Sequence, residues 1–228
     1  MEDANLVHTP ILDYLHRDVQ AVMTHVEQSW PNLRAALQAV HRHIADVMRP
    51  VNSIEEDIPV SRLLRIHQGS CSQRMGCVEA LARAFGIPTR VRALWLDRSF
   101  WYARLPLLRP VLPKRTLMPW PQFRLDGAWV DFDEVYDSTA RLAAHASHPF
   151  TNRGESLFDA IRHVPVDFLG KSEKSGCPAF SLARFVVGQD GFFDTRDQLL
   201  RELDSRSWFS RLSFRLTYQD KPVRRLPD

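Results

Sequence analysis

A chain of 228 residues, 44% apolar and 25% charged, has the composition of a globular protein with one full core, or a core plus a helical extension. Its net charge of +3 comes from scattered arginines, with one small cluster at Arg224 and Arg225, and so offers no basic stripe to track a phosphate backbone; this argues against a nucleic-acid partner. No apolar run approaches the roughly 18 residues that a membrane span needs, and the polar opening MEDANLVHTP has no basic segment leading into an apolar one, so the cytoplasm is the expected compartment.

The first 55 residues read as helical. Ile11, Leu12, Leu15, Val19, Val22 and Met23 fall near helical spacing within a stretch, 11–48, expected to be helix throughout. A second helix opens at Trp30-Pro31-Asn32 and stops before Pro50. His41 and His43, two apart, point to different faces and cannot share a metal there. Residues 1–55 are therefore expected to form a helical extension packed on a core domain, 56–228.

A short helix is expected at Ser61–His67, and a strong one from Cys71 to about Phe85, closed by Gly86-Ile87-Pro88. Arg90–Leu96 reads as a buried strand. Prolines at 106, 110, 113, 119 and 121 argue against any long regular element across 99–121, which reads as a lid or binding loop. Asp126-Gly127 between QFRL and AWVDF predicts a hairpin. Further helices are expected near Ser156–Arg162 and Thr195–Leu203.

Three cysteines, Cys71, Cys77 and Cys177, are an odd number, which argues for a reducing compartment rather than a disulfide framework. No CxxC, HExxH, GxGxxG or phosphate-loop pattern occurs, so neither a metal nor a cofactor is expected. Cys71 is the chemically interesting thiol. It opens a helix, where unpaired backbone N–H groups and the helix dipole stabilise negative charge and so favour the thiolate that a nucleophile needs. Cys77, two-thirds of a turn further round, is expected in the core, and Cys177 in a loop.

Gly69–Arg90, with Cys71 fifteen residues before the Gly86-Ile87-Pro88 turn, resembles the nucleophile segment of the transglutaminase-like superfamily. PWPQFRLDGAWVDFD is similar to that family's hairpin, and together the blocks carry the resemblance across residues 60–137. The resemblance implies an α+β, papain-like fold with the nucleophile helix packed on an antiparallel sheet. It places Trp120, Gly127, Trp129 and Val130 on family positions and Asp133 on the triad acid, with Asp131 a rival two residues earlier on the same strand face.

The departure is at Met118. The family's histidine lies nine residues before the hairpin glycine, and no histidine occurs between His67 and His145. Loss of an imidazole removes general acid–base help typically worth about 10²–10⁴ in rate. The residues then point to three functions. The first is acyl transfer, hydrolysis or cyclisation by Cys71 on an activated, thioester-like acyl substrate, small or carrier-bound, with Asp133 as a polar orienter. Met118, Trp120 and Gln122 would wall its substrate site, and His67 is the nearest substitute base. The second is a catalytically inactive module that binds a ligand or a protein partner through the same cleft. The third, a conventional amide-cleaving or cross-linking enzyme, is disfavoured by Met118.

Overall fold

In the computed structural model, which describes residues 3–26, 30–53 and 55–203, the chain enters through helices α1 (Arg17–Val26) and α2 (Leu33–Val47). The arginine cluster at 224–225 lies outside the described residues. The apolar spacing from Ile11 predicts a helix start six residues before the observed one. Local polar bonds explain the difference. Thr9 Oγ1 accepts from the Leu12 amide at 3.0 Å, while the Asp197 carboxylate accepts from Thr9 Oγ1 at 2.5 Å and from the Ile11 amide at 3.1 Å. These bonds hold the segment as a turn and send Leu12 into the core ahead of the helix. Asn32 caps α2, accepting from the Ala35 amide at 2.9 Å. Beyond α2, the short strands β1 (Arg49–Pro50) and β2 (Gln68–Gly69) pair in parallel on either side of α3 (Val60–Ile66) in the chain.

The central element is α4 (Cys71–Ala84), in which every residue from Ser72 to Arg83 is buried. The sequence suggests one core-facing stripe through Cys71, Met75, Val78, Ala82 and Phe85. The structure instead packs α4 against α1, α2, α3, a sheet strand and α6 (Leu157–Ala160). A helix enclosed in this way must pair its charges internally, because an unpaired buried ion is very costly. Arg74 pairs with Asp159 at 2.7 Å, Glu79 with Arg196, and Arg83 donates to Thr89 and to the carbonyls of Val7 and Asp194.

Four antiparallel strands form the sheet: β3 (Thr89–Asp97), β4 (Arg115–Leu125), β5 (Ala128–Asp131) and β6 (Val186–Phe193), in the order β5-β4-β3-β6. Asp126 and Gly127 take φ of 51° and 81°, the two positive values that a tight hairpin turn requires. β4 corrects the expectation that prolines exclude a long element, since it runs eleven residues through Pro119 and Pro121. The Arg124 amide donates to the Pro88 carbonyl, so even-numbered residues of β4 face the β3 side. The prolines therefore face the other edge, and β5 pairs only with residues 122–125 there. Their missing N–H groups leave no ladder bond unmade. The loop before β4 is proline-rich, as read, and is tied down by Trp101 Nε1 donating to Thr116 at 2.8 Å and by buried Phe100 and Leu105.

The remaining helices are α5 (Thr139–His145), α7 (Lys171–Lys174) and α8 (Arg196–Leu203), and α6 is shorter than its apolar pattern suggests. Side chains of α1 and α2 share one core with α4 and the sheet, which makes the molecule an α+β fold with the Cys71-bearing helix α4 against an antiparallel sheet. Among the described residues, no helix is long and apolar enough to cross a membrane.

Candidate active site

Cys71 is the first residue of α4 and is half-buried. The helix start is rigid. Ser70 Oγ accepts from the Gln73 amide at 3.2 Å, and Gln73 Oε1 accepts from the Ser70 amide at 2.7 Å, a reciprocal capping box. Gly69 precedes it, and a Cβ there would lie 3.1 Å from Met48 Cε, a tight contact that a small shift of the methionine end would relieve. The hydrogen-bond partner of the Cys71 sulfur is Ser156 Oγ, 3.7 Å away. Ser156 is fully buried at the N-cap of α6, and its oxygen also accepts from Arg74 Nη1 at 3.0 Å and from the Asp159 amide at 3.4 Å. Arg74, itself fully buried, stacks its guanidinium 4.2 Å from the Phe158 ring centroid.

The sheet residues of the site follow from strand parity. Met118, Trp120 and Gln122 alternate along β4, opposite Leu94, Arg92 and Arg90 of β3. Met118 is 4% exposed, an apolar side chain in the core. Trp120 packs edge-on against Phe132 and Phe168, with its indole nitrogen buried and unpartnered. Gln122 is bonded at both ends of its amide: Oε1 accepts from Arg90 Nε and Nε2 donates to Asp131, each at 2.7 Å.

Asp133 sits in a single turn of 3₁₀ helix, Phe132–Glu134, directly after β5. It is 3% exposed, accepts from Thr139 Oγ1 at 3.2 Å, and among the described residues its other oxygen has no partner. Burial pushes this carboxyl up to about 7; the Lys171 ammonium 3.9 Å away opposes the shift, and the charges of Asp131 and Glu134 reinforce it. Lys171 also bonds Asp131 at 2.8 Å and Glu134 at 2.7 Å. Burial pulls the lysine down, but the carboxylates of Asp133 and Asp131 outweigh it and leave the ammonium raised. Asp131 and Asp133, rivals in the sequence, are therefore distinct here. Asp131 is fully paired, whereas Asp133 is buried and half-satisfied.

His67 lies elsewhere. It caps α3 in a left-handed conformation (φ 52°) and lines a cleft of about 250 Å³ with His25, His43, Val22, Val47 and Leu64. His41, on the opposite face of α2 from His43, is fully buried and held down to about 3 by burial, between Tyr136 and the Phe158 carbonyl. Cys77 is buried, with its thiol pushed up to about 12 by burial, and Cys177 precedes a short 3₁₀ turn. Among the described residues, no three histidine, cysteine or carboxylate side chains are arranged to hold a metal ion.

The structure thus joins Trp120, Gln122, Asp131 and Asp133 through Phe132 and Lys171, and packs the Cys71 helix on the same strand β4. Sequence reasoning missed Ser156, Arg74, Asp159 and Lys171. The only local signal was Ser156-Leu-Phe-Asp159, a helix-start pattern that says nothing about which sulfur the serine meets.

A family model described as the transglutaminase-like superfamily matches residues 20–134, half of the chain, from within α1 to the turn carrying Asp133. No curated protein matches. Among solved structures, a candidate cysteine protease from Cytophaga hutchinsonii is 16% identical with a TM-score of 0.42, over 56% of this chain and 39% of that one. A candidate protease from Parabacteroides distasonis is 12% identical with a TM-score of 0.35, over 49% and 22%. The chain therefore spans well under half the length of either protein. With the nucleophile segment, the hairpin and the helix-on-sheet packing all inside the matched range, the chain belongs to the transglutaminase-like superfamily.

Proposed function

We propose that this chain is a cysteine-dependent enzyme that accepts an acyl group from an activated, thioester-like donor and passes it to water or an amine, with hydrolysis, transfer or cyclisation as outcomes. The observation carrying this reading is the half-buried Cys71 sulfur at the start of α4, bonded to a hydroxyl, with a thioether at the family's histidine position. The Cys71 thiolate attacks the acyl carbon and forms a new C–S bond. The donor's C–S bond breaks, and the departing sulfur keeps the electron pair as a thiolate, which needs no proton near neutral pH. Water or an amine then attacks the Cys71 acyl group, Cys71 leaves as thiolate, and the incoming group's proton passes to solvent. An amide donor would have to expel an amine, and the lost imidazole would have protonated it. Asp133 serves as a polar orienter, and the proline-rich loop before β4 walls the acyl site.

The second reading is a binding module without catalysis. It is favoured by the filled state of the sheet side: Met118 is buried, Gln122 is bonded at both ends, and Lys171 is engaged by three carboxylates. One experiment separates the two. Wild type and Cys71→Ala are incubated with a small acyl thioester and weighed intact. A single acyl adduct on wild type alone supports the enzyme, and no adduct on either supports the binding module.

A further inference from the structure

The hydroxyl of Ser156 has two lone pairs and one hydrogen to place. Arg74 Nη1 at 3.0 Å and the Asp159 amide at 3.4 Å are both donors, and they occupy the lone pairs. Among the described residues, the remaining neighbour in hydrogen-bond range is the Cys71 sulfur at 3.7 Å. From this accounting we infer that Ser156 donates its hydrogen to Cys71 Sγ, and so replaces the missing imidazole as the group that sustains the thiolate. The inference rests on the reading of Cys71 as nucleophile and names a second residue of that same site.

The surroundings fix the direction of the bond. Arg74 and Ser156 are both wholly buried, so neither can turn to solvent instead. The Asp159 carboxylate takes Arg74 Nη2 at 2.7 Å and Nη1 at 3.3 Å, which aims the second hydrogen of Nη1 at Ser156. A hydroxyl receiving a hydrogen bond from a guanidinium is polarised and becomes a stronger donor to an anion. Its partner gains from being charged. Bonds to ions contribute more than neutral ones, so the interaction favours thiolate over thiol. No proton transfer is required. Ser156 keeps its hydrogen throughout, and its contribution returns each time Cys71 leaves as an anion.

The test reads the alkylation rate of Cys71 by iodoacetamide against pH, with site-resolved mass spectrometry, in the full chain. Ser156→Ala is expected to lose roughly tenfold in rate at pH 7. That deficit should close as pH rises, whereas a change in access would persist. Ser156→Thr, which keeps the hydroxyl and the helix cap, should follow wild type. A deficit independent of pH, or none at all, would overturn the inference, because a merely structural role changes access rather than ionisation. Circular dichroism checks that the alanine variant is folded. If it is not, Ser156→Asp takes its place: its carboxylate can cap α6 and pair with Arg74 but carries no hydrogen, so the same pH-dependent deficit is expected and its absence would refute the assignment. The thioester adduct assay fails separately. A wild type that alkylates with the expected Ser156 dependence yet forms no adduct keeps the hydrogen bond and loses the acyl-transfer function.

Discussion

Replacing Asp133 by asparagine should stabilise the protein at alkaline pH and leave it nearly unchanged in acid. The carboxyl is buried, makes one side-chain hydrogen bond to Thr139 Oγ1, and has one oxygen without a partner. Its protonation midpoint rises from 3.8 to about 7, chiefly through burial. A carboxyl whose folded-state value is raised binds its proton more tightly when folded. Its contribution is therefore fully present below about pH 4, is lost as pH rises towards 7, and stays lost above that. Roughly three pH units at about 1.4 kcal/mol each set an upper bound near 4 kcal/mol for the loss.

Asparagine keeps the shape and has no charge to bury. Lys171 still has Asp131 at 2.8 Å and Glu134 at 2.7 Å, so the substitution does not leave that ammonium unpaired. The expected difference between variant and wild type is thus within about 1 kcal/mol at pH 4 and about 2–4 kcal/mol in the variant's favour at pH 8. Urea unfolding followed by tryptophan fluorescence at half-unit pH steps measures it. Taking the difference matters, because the carboxylates of Asp3, Asp18, Asp97 and Glu155 are lowered, and their opposite pH dependence cancels between the two proteins. A variant less stable than wild type at pH 8, or a difference that does not change with pH, would refute the reasoning.

Other substitutions probe other parts of the argument. Arg196→Ala strands Glu79 and removes a partner of Glu56 and Ser72, and should cost about 3–5 kcal/mol in urea unfolding. Cys77, fully buried and pushed up to about 12, should resist iodoacetamide in the native protein at pH 7.5 and react only after denaturation, which peptide mapping would reveal. Met118→His puts a polar ring into a site that is 4% exposed and should cost about 1–3 kcal/mol. It should also raise turnover of a simple amide by on the order of 100-fold. An unchanged rate would mean that restoring the imidazole alone does not rebuild amide chemistry.

How far the sequence could be read depended on the range of the interactions. α4, β3 and the β4–β5 hairpin announce themselves locally, through a helix stop at Gly86, an apolar run and two adjacent residues suited to positive φ. β6 does not. Its Gly188 and Gly191 resemble loop punctuation, and only pairing with β3, almost a hundred residues earlier in the chain, makes it a strand. Gly188 lies against Trp95, and a Cβ there would be in ordinary contact with the indole at 3.4 Å. The prolines of β4 misled for a related reason: a proline is incompatible with a paired strand edge, and which edges are paired is decided by the short reach of β5.

The candidate site divides along the same line. Cys71 and Met118 were visible because family spacing is local, but Ser156, Arg74 and Asp159 meet Cys71 only through contacts spanning more than eighty residues. Arg74 in particular is wholly buried, and its guanidinium is bonded to Ser156, Asp159 and the Ala45 carbonyl. A charge is kept in such a place only when it is paired, and here the pairing of Arg74 with Asp159 extends to the candidate nucleophile through one hydroxyl. The polar groups bonded to one another and to the Cys71 sulfur therefore stand on α4 and at the start of α6, and hydrogen-bond geometry, rather than sequence position, brings them into view.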